Sequence, residues 1–439
     1  MSGQAESPAV APDVEQPPAP PEGGGARWLP DARRRLGRGL QVVARSGTAV
    51  TTTLAIFSAL VVGAVIMIVT TPQTLSAWSA FPSNPGAALG SSWTLVTSAY
   101  TALFVGAVGS PAAWLHAITS LSPPALTAAA YPLSETLVAT APLLLGGLSV
   151  SLAFRTGLFN IGAQSQLLAG AIVAGWVGFS LPGLPWPVHL PLAILAGAGA
   201  GAVAGWVPGV LRARTGAHEV IVTIMLNYVA ANLLIYLLSL PAFLPRGAAN
   251  AISRTTPASA RLPHLAGPGL RVNAGILLAL AAAYGVWWLL QRSTLGFRFR
   301  MVGASHDAAS AAGVDIRRMI TGSMVIAGAL AGLAGVVEIL GVSPQLVPGF
   351  AQNLGFTAIT VALLGQARPG GVVLAALLFG AFQAGGLQMQ ASTTIPLELV
   401  QVIEAVIVFF IAAPALVRAI YRIRTSGTGF RLFSQGWGG

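Results

Sequence analysis

Three amides stand close together in the stretch FRTGLFNIGAQSQLLAG, which runs from Phe154 to Gly170: Asn160, Gln164 and Gln166. Apolar runs flank them on both sides. An amide offers donors and acceptors without charge, so it can hydrogen-bond hydroxyls, carbonyls or other amides. In hydrocarbon an unpaired amide costs free energy, so these side chains must face protein, water or a solute. In a regular helix Gln164 would share a face with Asn160, four residues earlier. Two readings stay open at this point. The amides bond packed helices to one another, or they form the polar lining of a solute path. Asn227 and Phe356 are the other candidates for that path, with helix packing as the plainer role for Asn227.

Other chemistries are excluded or thinly supported. The chain has no cysteine, and all 23 basic residues are arginine. Without lysine there is no Walker A loop to grip a nucleotide. The five histidines are scattered, with no His-Glu-x-x-His pattern, and no Gly-x-Ser-x-Gly elbow occurs, so neither a metal site, a cofactor nor an enzyme is expected. Intramembrane carboxylates can form proton relays. Glu135, Glu338 and Glu398 fall near span ends, and only Glu404 falls deep in an apolar run. A proton-coupled transporter is therefore the rival reading.

The elements that must position these residues are membrane helices. Charged residues make up 8% of the 439-residue chain and hydrophobic ones 54%, far from the composition of a soluble domain. Runs of roughly 20 apolar residues cross a bilayer. They predict about ten spans in an all-α polytopic protein: 48–70, 136–154, 161–181, 190–211, 220–240, 274–290, 320–340, 356–364, 371–387 and 397–416. The stretch 356–364 is too short to cross alone and reads as a broken or re-entrant helix, which requires protein or a water-filled cavity around it.

Residues 1–46 form a Pro-, Gly- and Arg-rich tail expected to be disordered, and 419–439 a basic tail. Between them lies the transmembrane domain, 47–418. Residues 71–132 are expected to lie at the extracytoplasmic interface, anchored by Trp78 and Trp114. Residues 291–319 form the longest cytoplasmic loop. This topology places both termini and nineteen arginines inside, and four arginines outside, as the positive-inside rule requires. The same rule accounts for the net charge of +11 without any nucleic-acid partner.

Further motifs come in order along the chain. GAHEVIVTIMLNY opens at Gly216, and GFRFRMVG runs from Gly296 to Gly303. Next come Ala308-Ala309 and Ala312-Gly313-Val314-Asp315. LAGLAG runs from Leu330 to Gly335, and GFTAITVALLG from Gly355 to Gly365. Together they closely resemble the integral-membrane permease subunits of bacterial ABC importers. The resemblance covers about residues 48–418 and points to the nucleoside branch of a family that also serves ribose-type sugars and branched-chain amino acids. Where that family usually has Glu-Gly inside the first motif, this chain has Gln164-Ser165; where it usually has Asp, Thr357 stands.

The resemblance implies a polar path for a nucleoside or similar polyhydroxylated solute, and no cofactor. It implies four kinds of partner in a bacterial cell membrane: an ABC ATP-binding subunit, a second permease subunit, an extracytoplasmic solute-binding protein and membrane lipid. The loop would then hold the coupling surface, with Arg300, Gly303, Ser305, Ala308, Ala309 and Gly313. Its alanine-rich part, Ser305–Ala312, predicts a short helix, terminated on either side by Gly303 and Gly313.

Overall fold

The computed structural model describes residues 47–247, 250–267, 269–351, 353–393, 395–413, 416–417 and 420–421. The tail expected at 1–46, and all but two residues of the one expected at 419–439, lie outside them. The chain divides into two compact units, Met1–Val50 and Thr51–Gly439. Of the first, only the opening turn of a helix is described; all the other described elements belong to the second.

Helices α1 (Gly47–Thr70), α2 (Pro72–Ser79), α3 (Pro85–Val108), α4 (Pro111–Ser120) and α5 (Pro123–Arg155) come first. Proline opens α2 to α5, where its missing N–H costs nothing because first-turn donors have no helical partner. Ser110 and Asn84 cap α4 and α3 by accepting from backbone N–H groups. Helices α6 (Ala163–Ser180), α7 (Trp186–Thr215) and α8 (Glu219–Ser239) follow, then α9 (Gly275–Arg292). Two loop helices, α10 (Thr294–Ala304) and α11 (His306–Ala311), lead to α12 (Ile316–Val337), which ends in a wide π turn over Glu338–Val342. The last are α13 (Leu354–Leu364), α14 (Pro369–Ser392) and α15 (Glu398–Ala412). No strand occurs among the described residues; His264 and Asn273 form one isolated bridge.

Among the described residues, eight helical stretches are long and apolar enough to cross a membrane. Helix α6 is less apolar than these because its first turn carries Gln164, Ser165 and Gln166. One stretch, Pro85–Ser120, spans α3 and α4, where the sequence predicts an interfacial segment. Of the tryptophans expected as anchors there, Trp78 donates to Ser92 Oγ and Trp114 to the Val108 carbonyl.

Helix α5 is the central post, with Leu143, Leu144, Leu145, Leu148 and Leu152 all buried. Its two charged residues, Glu135 and Arg155, are twenty positions apart, or about 30 Å, the thickness of the hydrocarbon core. Glu135 pairs with Arg271 at 3.0 Å. At the other end the Arg155 Nε donates to the Ala367 carbonyl at 2.8 Å, and Gly303 of the loop packs on the Arg155 backbone. Arg155, the 291–319 loop and Arg368 therefore share one face, as the count of arginines requires.

Helices α6, α7 and α12 form a second group around a glycine seam. Gly197, Gly201 and Gly205 of α7 meet Gly328 and Gly332 of α12, so close that a Cβ on Gly332 would lie 2.9 Å from Gly201 Cα. In lipid the hydrophobic effect does not drive helices together, and such small-residue contacts are what hold them.

Candidate functional site

Helix α13 begins at mid-depth. Gly146 of α5, nine residues and so about 13 Å from Arg155, packs against Leu354 and Ala358. The chain reaches that depth through residues 343–351 and 353, which are non-helical. Their upper part is tied to the loop over 252–262, where Ser253, Thr256 and Leu262 donate to the carbonyls of Leu346, Pro344 and Leu340. Lower down, Ala351 and Asn353 adopt positive φ values of 50° and 66°, and beyond α13 Gln366 and Ala367 do so again at 54° and 49°. Residues with a Cβ rarely adopt this conformation, so both ends of α13 are held under strain by their surroundings.

Irregular backbone inside a membrane must find partners, and here the amides supply them. The Gln164 Oε1 accepts from Gly355 N at 2.7 Å, and its Nε2 donates to the Ala351 carbonyl at 3.1 Å. One side chain thus satisfies a donor and an acceptor at the mouth of α13. A carboxylate could not do both, which is the physical consequence of Gln standing where the family usually has Glu. Asn227 of α8 does the same for α6: its Oδ1 accepts from Ser165 N at 2.9 Å and its Nδ2 donates to the Ile161 carbonyl at 3.0 Å.

Asn160 and Gln166 form a reciprocal pair, Nδ2 to Oε1 at 2.9 Å and Nε2 to Oδ1 at 3.0 Å, with Ser149 Oγ as a further acceptor at 3.3 Å. Asn160 precedes α6 rather than lying on it, so its partner is Gln166 across the turn and not the i+4 residue Gln164 that a regular helix would give. Asn160 and Gln166 are fully buried, and Gln164 and Asn227 nearly so. Phe356, in the first turn of α13, differs from all four, with 46% of its surface exposed.

In the loop, Ser305 caps α11 by accepting from Ala308 N at 3.3 Å. Gly313, at φ 76°, ends that helix. Gly303 is not a terminator: it sits inside α10, where a Cβ would collide with the Arg155 carbonyl. Ala309 is fully buried, while Ser305, His306, Asp307, Ala308 and Ser310 are exposed. Arg300 lies close enough to Arg155 for their charges to interact, as does Arg368, and its Nε is buried without a hydrogen-bond partner. Sequence reasoning missed α10. Its signals were Ser293, which caps it by accepting from Gly296 N at 2.9 Å, and Phe299, which is fully buried. Among the described residues no cluster of acids and histidines could hold a metal.

Residues 133–412 match the family model described as branched-chain amino acid transport system / permease component. The chain is 42% identical over 293 residues to the guanosine ABC transporter permease protein of Bacillus subtilis, covering 66% of this chain and 83% of that one. It is 37% identical over 300 residues to the nucleoside ABC transporter permease protein of Lactococcus lactis, covering 66% and 81%. The glucose ABC transporter permease protein of Haloferax volcanii is 37% identical over 296 residues, covering 64% and 76%. No solved structure matches.

Proposed function

Because the chain belongs to the family of permease components of ABC transport systems, we propose that it carries a nucleoside across a bacterial plasma membrane. As such a component it is a multi-pass membrane protein without catalytic chemistry of its own. ATP hydrolysis belongs to a separate subunit, and a solute-binding protein is the usual further partner. In our reading a second permease subunit completes the path.

The observation that carries the solute is the similarity to the guanosine and nucleoside permeases, together with the family match over 133–412, which includes both the amide junction and the coupling loop. The geometry divides the labour. Asn160, Gln164, Gln166 and Asn227 already have protein partners: Gln164 braces the half-helix α13 directly, and the other three brace the start of α6 from which Gln164 reaches it. Phe356 is free to present its ring to the path, and an aromatic face suits a nucleobase at about 1–3 kcal/mol per stacked base. On the cytoplasmic side the exposed face of α11 docks on the ATP-binding subunit. The arginines at 155, 300 and 368 give that face the charge to meet acidic groups.

The test is ATP-dependent uptake by the complex reconstituted with its ATP-binding subunit and binding protein, with guanosine, glucose and isoleucine in competition. Guanosine should compete best, and a protonophore should leave uptake unchanged. Uptake that survives without the ATP-binding subunit and stops with a protonophore would overturn the reading. The similarity to a glucose permease favours a sugar as the second reading, and best competition by glucose would select it.

A further inference from the structure

A groove of about 580 Å³ opens between the inner ends of α7 and α12. From α7 come Trp206, Val210, Ala213 and Arg214; from the start of α12 come Arg317, Arg318 and Gly322, with Asp315 just before it. Its two halves differ in chemistry. Arg214, Arg317 and Arg318 lie at the rim, on the face that also carries Arg155 and the loop. Asp315, the one acid there, is occupied: it pairs with Arg318 Nε at 3.0 Å and caps α12 through Arg318 N at 3.1 Å. Arg214 and Arg317 have no acidic partner among the described residues.

The other half is apolar and runs into the membrane. Trp206 stands nine residues, about 13 Å, before the end of α7. Above it the same stripe continues through the exposed Val203, Gly199 and the exposed Leu195. A Cβ on Gly199 or Gly322 would meet nothing within 4 Å, so neither the groove at Gly322 nor the face of α7 above it at Gly199 is filled. From Val210 to Gly199 this face of α7 measures about 16 Å, or half the hydrocarbon thickness.

We propose that this groove binds one anionic phospholipid of the inner leaflet. Arg214 and Arg317 take the phosphodiester, and one acyl chain runs past Val210 and Trp206 and follows Val203 and Gly199. Three features favour a lipid over a protein occupant. The length matches one leaflet. The rim carries excess positive charge, which attracts anionic headgroups at the inner membrane face. The apolar half lies at a depth a soluble subunit does not reach. The inference rests on the membrane orientation alone and not on the identity of the solute.

The test uses the full complex in nanodiscs of phosphatidylcholine with or without added phosphatidylglycerol. Native mass spectrometry counts retained lipid, and thermal unfolding reports stabilisation. Wild type should retain phosphatidylglycerol selectively and gain thermal stability from it. The double variant Arg214→Gln, Arg317→Gln should lose that retention by about tenfold or more, at about 1 kcal/mol per arginine near the surface. Gly322→Leu fills open space without touching the charges and should lose it too. Inorganic phosphate in place of the lipid should stabilise neither. Equal retention in wild type and both variants would overturn the proposal, as would stabilisation by phosphate alone. So would cross-links placing a second permease copy or the ATP-binding subunit over Trp206.

Discussion

The amide junction and the loop over 291–319 are both polar, yet they are built on opposite plans. At the junction, every amide singled out has protein partners and is buried: Gln164 holds Gly355 and Ala351, and Asn227 holds Ser165 and Ile161. In the loop, Ser305 and Asp315 are used up as helix caps, but His306, Asp307 and Ala308 face outward, and the Arg300 Nε is buried without a partner. Matched polar groups stabilise a fold. Exposed ones on a charged face are free to meet another molecule. The proposed function rests on that difference, with architecture at the junction and recognition at the loop, and it can be broken from either side.

The largest effect should come from Gly355→Val. Any Cβ there collides with the Gln164 backbone, and overpacking of this kind costs on the order of 3 kcal/mol. Thermal unfolding of the purified protein should show it as a large loss. Gln164→Leu comes next. It leaves Gly355 N–H and the Ala351 carbonyl unpaired at mid-depth, at about 1–3 kcal/mol each, and should lower stability more than it lowers transport per folded molecule. A large transport defect with unchanged stability would instead return Gln164 to the solute path.

The loop should behave the other way round. Ala308→Trp adds bulk on an exposed face, so unfolding should shift by less than about 0.5 kcal/mol, while ATP hydrolysis in the complex loses its stimulation by solute. Phe356→Ala sits between the two regions. It should reduce guanosine uptake roughly tenfold, the worth of about 1.4 kcal/mol of lost stacking, with little loss of stability. The smallest effect should be Gly313→Ala, which forces a Cβ into the left-handed region at φ 76° but meets no neighbour, for about 1 kcal/mol.

The junction was half legible in the sequence. Its residues stood out because amides are rare in apolar runs, and α13 stood out because the apolar stretch 356–364 is too short to cross a bilayer. What could not be read was who bonds whom. Asn160 lies in the turn before α6, so helical spacing pointed to Gln164 when the partner is Gln166. Gln164 itself reaches across almost two hundred positions to Gly355, a contact that only tertiary packing brings about.

The loop was legible where alanine and a capping serine mark α11. It was not legible at α10, where arginine and glycine dilute the helical pattern and tertiary burial of Phe299 decides the matter. At α3 the apolar run was visible. Without a charged residue between 71 and 130, no arginine remained to fix its depth.

The glycine seam between α7 and α12 has a mechanical consequence. Where backbones touch directly, no side chain can change rotamer to absorb a displacement, so the two helices form one stiff lever. One end of that lever follows α11 after four residues. The other is the π turn at Glu338–Val342, about 40 Å away along the helix, where the stretch of backbone feeding α13 begins. A shove delivered at the cytoplasmic face would therefore arrive undamped at the far side, at the thread from which the half-helix hangs.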